Sequence, residues 1–185
     1  MKKLLALVLL SALFGCGGGG GDGGTDTSTN PVTFAQGNET IRIDRADEYA
    51  IDIPSAGNVV TVAKGNTVTH VIVTGANNSL VVEDLVLIRE MQITGVNTSV
   101  TLGNTVTVPL FTVNGANATI SIGAGDHIDR LAISGSNAIV TIRDLSAVVP
   151  LITTSGSNIT LRVPFGYASH TTITNTGANN TVIEQ

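Results

Sequence analysis

Apolar and polar residues alternate in short runs along this chain, and the runs return at a nearly fixed interval. Leu131 to Ile142, LAISGSNAIVTI, is the clearest copy. With Asn137 as a marker, counterparts stand at Asn38, Asn58, Asn77, Asn97, Asn117, Asn158 and Asn179, separated in order by 20, 19, 20, 20, 20, 21 and 21 residues. A constant period of this size marks a stacked solenoid, in which each repeat contacts only its neighbours.

The third and fifth residues after the marker are aliphatic: Leu80 and Val82, Val100 and Leu102, Ile120 and Ile122, Val140 and Ile142, Leu161 and Val163. Ser99, Thr101, Thr119, Ser121, Thr141 and Arg162 lie between and beside them, so the period is two and the segment reads as a strand with one buried face. A second such pair precedes the marker by six and four residues, as in Val71 and Val73, Met91 and Ile93, Phe111 and Val113, and Leu131 and Ile133. A third apolar position, about eleven residues after the marker, holds Tyr49, Val68, Ile88, Val108 and Ile128 and predicts another short strand. No single repeat can bury these faces alone, so repeats must stack in parallel and bury them together. The expected fold is all-β: a single-stranded parallel β-helix (β-solenoid) of about eight coils, each of about 20 residues. A right-handed coil is favoured by the general handedness of parallel crossovers. At roughly 4.8 Å per coil the body is about 40 Å long.

The chain is expected to turn at Gly-x-Asn, where Gly75, Gly95, Gly115, Gly135, Gly156 and Gly177 precede their asparagines by two residues. Glycine offers positive φ without steric cost, and asparagine tolerates the left-handed region. If identical asparagines stack from coil to coil, their amides can bond in a ladder through Asn38, Asn58, Asn77, Asn97, Asn117, Asn137, Asn158 and Asn179.

Residues 1–15, with Lys2, Lys3 and an apolar run from Leu4 to Leu10, read as a secretion signal, far short of the about 20 apolar residues that cross a membrane. Leu13-Phe14-Gly15-Cys16 resembles the bacterial lipobox, which implies cleavage before Cys16 and a lipid anchor on its sulfur, in the cell envelope. Cys16 is the single cysteine, so no disulfide can form within the chain. Residues 16–31 then form a glycine-rich tether, and 32–185 the solenoid domain.

Aromatic residues make up only 3% of the chain, so the core must come from Val, Ile and Leu. The sequence holds nine basic and fourteen acidic residues; without Lys2 and Lys3 this becomes seven against fourteen, a net charge of −7. That balance leaves no electrostatic footprint for nucleic acid. No cofactor motif is present, because the glycine tract lacks the Lys-Ser/Thr of a phosphate loop. Asp44, Arg45, Asp47, Glu48 and Asp52 crowd the first repeat, where charge discourages edge pairing; a cation site is the alternative to capping. His70, His127 and His170 fall at different offsets from the marker, which argues against a shared metal. Asp126, His127, Asp129 and Arg130 form the one local acid and base cluster of the repeat body. It lacks carboxylates on adjacent coils, such as solenoid polysaccharide enzymes use in pairs.

The repeats also resemble a bacterial family of unknown function, labelled DUF three-zero-six-zero, whose segments run close to T-V-x-G-x-N-N-x-V. Thr74 to Leu80 and Thr176 to Val182 carry the resemblance. It implies a stacked β fold and no catalytic residue. The expected function is non-enzymatic: a lipid-anchored envelope spacer, or a surface for a glycan or protein. The alternatives are a solenoid polysaccharide lyase or hydrolase, and an ice binder using Thr40, Ser79, Ser99, Thr119, Thr160 and Thr181 beside Thr61, Thr101, Ser121 and Thr141.

Overall fold

Alternate residues of an extended strand face opposite ways, so the spacing of Ile120 and Ile122 sends both inward and leaves Thr119 and Ser121 outside. A computed structural model describes residues 31–185 of the protein; the expected signal, Cys16 and all of the expected tether but Pro31 lie outside the described residues. One sheet, in stacking order, is β1 (Pro31–Thr33), β3 (Tyr49–Ile53), β5 (Thr67–Val73), β7 (Leu87–Ile93), β9 (Leu110–Val113), β11 (Arg130–Ile133), β13 (Leu151–Thr154) and β15 (Thr172–Asn175). The second is β2 (Thr40–Ile43), β4 (Val59–Val62), β6 (Ser79–Val82), β8 (Ser99–Leu102), β10 (Thr119–Ile122), β12 (Ile139–Ile142), β14 (Thr160–Val163) and β16 (Thr181–Glu184). Each coil supplies one strand to each sheet, and every pairing is parallel, as in Ile120 opposite Val100 and Val140. The protein is a β-solenoid of about eight turns.

The inward pairs from both sheets and the third apolar column form one continuous core, in which Val71, Met91, Phe111 and Leu131 are fully buried. That third column is not a separate third strand throughout, as the periodicity suggested. Tyr49, Val68 and Ile88 are absorbed into β3, β5 and β7, whereas Val108 and Ile128 stay buried with only isolated bridges nearby, such as Thr107 to His127. Pro109 and Pro150 lie on this path, and a proline has no N–H to continue a ladder.

The Gly-x-Asn corner works differently from its sequence reading. The left-handed residue is the asparagine, with φ between 55° and 62° at Asn38, Asn77, Asn97, Asn117, Asn137, Asn158 and Asn179. None of the six glycines has positive φ. They are required instead because the coil climbs so closely over its predecessor that a Cβ on Gly95, Gly115 or Gly135 would enter the carbonyl oxygen of Gly75, Gly95 or Gly115 respectively. Close backbone approach, and not torsional freedom, explains that column.

The ladder is also shorter than expected. Asn97, Asn117, Asn137, Asn158 and Asn179 each donate from Nδ2 to the Oδ1 of the preceding marker, at 2.9, 2.9, 3.2, 3.0 and 3.3 Å, ending on Asn77. Asn58 is not a member: Gly57, with φ 78°, takes the left-handed place in that coil, and the 19-residue step had hidden the shift. Asn38 has the marker conformation but faces Gly57, which has no side-chain amide to offer. Asn58 is fully buried one position further on, where its Oδ1 accepts from Glu39 N at 3.0 Å. Asn78 and Asn180 repeat this inner arrangement, accepting from Asn58 N and Ile159 N at 2.8 and 2.9 Å. The second asparagine of the repeat thus closes backbone donors inside the corner.

Candidate functional site

The acidic residues of the first coils are matched with bases. Arg42 bonds Glu83 through Nη2 at 2.9 Å and Asp44 at 3.0 Å, Arg45 bonds Asp47 at 2.8 Å, and Arg89 bonds Glu48 at 2.7 Å. Arg45 also lies 5.3 Å from the centre of the Tyr49 ring, and His70 Nε2 is 3.5 Å from Asp52. The Arg42 hydrogen bond holds the Glu83 carboxyl below its ordinary range, and the Arg45 bond does the same for Asp47. Among the described residues no group of three His, Cys, Asp or Glu side chains converges as a metal site.

Asp126, His127 and Asp129, close in sequence, are separated because successive residues of this extended connection face opposite ways. His127 Nε2 pairs with Asp129 at 2.8 Å on the surface. Asp126 is fully buried, accepting from Val106 N at 2.8 Å with one oxygen and from Gly123 N at 2.5 Å with the other. Burial pushes its carboxyl up, partly offset by those two amides. Asp126 therefore ties two coils together at the corner where Asn66 plays the same part for Arg45 N, at 3.0 Å. His70, Glu90, Leu110 and Arg130 share one outward column.

The outward face of the second sheet carries the two hydroxyl columns in register, with Ser79, Ser99 and Thr119 in one and Thr101, Ser121 and Thr141 in the other. Val59, Ile139, Arg42, Val81, Arg162 and Ile183 interrupt them. The result is a mixed polar sheet with apolar and charged breaks.

A site that the sequence reading passed over lies where this sheet meets the next corner. The column six residues past the marker holds Glu83, Gly103, Gly123 and Arg143. Gly103 adds no side chain beside Glu83, and a groove of about 350 Å³ lies there, lined by Lys64, Val81, Glu83, Asp84, Thr101, Asn104 and Arg143 among others. Arg143 folds back across Gly123, donating from Nε to Ile122 O at 3.3 Å and from Nη2 to Leu102 O at 2.5 Å, two coils away. Asp84 accepts from Asn104 N at 2.7 Å, and Asn104 Oδ1 from Ala124 N at 3.2 Å, which fixes both at the rim. The residues after them, Leu85 and Thr105, are left-handed at φ 61° and 59°, whereas neighbouring coils use Gly65 and Gly125 there. The pair of glycines outside the Gly-x-Asn motif was the available signal.

Compared with family models, curated protein sequences and solved structures, the chain matches none of them.

Proposed function

We propose that this chain is a lipid-anchored bacterial cell-envelope protein, of the Gly-x-Asn repeat kind, that holds a rigid non-catalytic β-solenoid away from the membrane as a binding surface for a glycan or protein. Cys16 is the anchor, and the glycine-rich segment that follows it is the tether. The observation that carries the reading is the pair of outward columns on the second sheet, where short hydroxyl side chains repeat from coil to coil. A repeating surface about 4.8 Å in period suits an extended partner that makes many weak polar contacts better than it suits a single reaction centre. The ion-paired carboxylates of the first coils and the backbone-bound Asp126 support the same reading, because both are committed to the fold. A spacer role differs only in that no partner touches the columns.

Fractionation of cells expressing the full chain tests the anchor. Cys16→Ser is expected to move the protein from the membrane pellet to the soluble fraction, and an unchanged pellet would remove the lipid anchor from the proposal. Co-sedimentation with purified envelope polysaccharide tests the surface, with Thr101→Arg together with Thr141→Arg expected to reduce it. Retention equal to that of the native chain would leave the spacer.

A further inference from the structure

We propose that the notch at Gly103 is a subsite for a carboxylate-bearing sugar, with Arg143 taking the carboxylate and Asp84 and Asn104 taking ring hydroxyls. This rests on the glycan reading and adds a site and a ligand class to it.

Arg143 differs from the arginines of the first coils. Arg42, Arg45 and Arg89 end on carboxylates, whereas Arg143 is held only by the carbonyls of Ile122 and Leu102. A guanidinium has five N–H donors in a planar fork. Two are spent on carbonyls, and these fix the fork across two coils while its other N–H groups are not spent on a carboxylate. An arginine that is already ordered loses little entropy on binding an anion, and its geometry favours a two-pronged contact with a carboxylate.

The opposite rim decides between anions. Both Glu83 oxygens are occupied, by Arg42 and by Lys64 N at 3.0 Å, so Glu83 contributes charge but little bonding capacity. Asp84 spends Oδ1 on Asn104 N, and among the described residues its Oδ2 and the Nδ2 of Asn104 have no partner. Two carboxylates near the notch repel a phosphate or sulfate dianion. Asp84 Oδ2 accepts a hydroxyl proton readily, and the Asn104 amide donates to a hydroxyl oxygen. A single negative charge beside several hydroxyls is the pattern of a sugar acid. Val81 offers an apolar patch for the C–H face of such a ring, and the volume of about 350 Å³ is at the small end of ligand clefts, which run about 300–1,000 Å³.

Calorimetric titration of the full chain in detergent with digalacturonate, its methyl ester and the dipeptide Gly-Gly tests the proposal. Digalacturonate is expected to bind, the ester at least about tenfold more weakly, and Arg143→Gln to weaken digalacturonate by a similar factor, the scale of one charge-assisted contact. Because Arg143 also bridges coils, Thr101→Trp fills the groove from an outward position and should abolish binding with an unchanged melting temperature. Equal affinity for the ester, full affinity in Thr101→Trp, tighter binding of Gly-Gly, or no heat on the order of 10 mM digalacturonate would each overturn the subsite. If the native chain co-sediments with envelope polysaccharide while digalacturonate gives no heat with it, the notch is wrong and the glycan-binding surface stands.

Discussion

Replacing Asn117 separates the two contributions that the corner asparagines make. Asn117 donates to Asn97 at 2.9 Å, accepts from Asn137 at 3.2 Å, and holds φ at 56°. Asn117→Ala removes both amide bonds, each worth about 0.5–1.5 kcal/mol and toward the lower end here because the ladder is solvent-facing. It also places a residue with a Cβ but no compensating side-chain bond in the left-handed region, at a further cost of about 1 kcal/mol. The expected loss is about 2–3 kcal/mol, or roughly 4–12 °C in melting temperature for a chain of this size. Asn117→Gly loses the same bonds without the torsional cost, and Gly57 shows that a coil tolerates this, so its loss should be about 1 kcal/mol smaller. Asn179→Ala loses only its 3.3 Å donation to Asn158 and should cost less than Asn117→Ala. Chemical denaturation of the four proteins, followed by circular dichroism, provides the comparison. Equal losses for Asn117→Ala and Asn179→Ala would refute the ladder, and equal losses for the Ala and Gly variants at position 117 would refute the torsional argument.

Gly115→Ala drives a methyl group into the carbonyl of Gly95, whose own N–H is tied to Val73 O at 3.0 Å, and should cost about 3 kcal/mol or more, whereas Gly65→Ala, with open space but φ of 74°, should cost about 1–2 kcal/mol by the same denaturation assay. Thr105→Gly releases a β-branched residue from φ of 59° and should raise stability by about 1 kcal/mol after the extra freedom of the unfolded chain is counted, read as a higher denaturation midpoint. Because burial raises the Asp126 carboxyl in the folded protein, the folded state binds the proton more tightly than the unfolded state. This contribution therefore favours folding below the unfolded value near 3.8 and is lost as pH rises through the raised folded value. Stability of the native chain relative to Asp126→Asn should accordingly fall as pH rises across that window, and a flat difference in parallel pH titrations of unfolding would contradict the shift. Glu83, Asp47 and Asp144 are shifted the other way, so their contributions are present above the ordinary carboxylate value and fade as pH falls, in both proteins alike.

The sequence by itself determined the solenoid. A period near 20 residues, with aliphatic pairs such as Ile120 and Ile122 two apart, leaves stacking in register as the way to bury those faces, and the inward pairs are found buried as the spacing required. The outward columns follow from the same arithmetic, because alternation assigns both faces at once. What only the tertiary structure decided is what happens where the chain leaves the strands. A glycine can be selected by torsion or by crowding, and the two leave the same letter in the sequence; the distance from each coil to the carbonyl below it shows that crowding selects Gly95, Gly115 and Gly135. Asn58 read as a marker because the coil from Asn38 to Gly57 is one residue short, which leaves Asn58 20 residues after Asn38, and the backbone angle of Gly57 corrects it. The Arg143 groove was invisible for a related reason. Its walls come from successive coils, from Lys64 through Glu83 and Asn104 to Arg143, which only the stacking brings together.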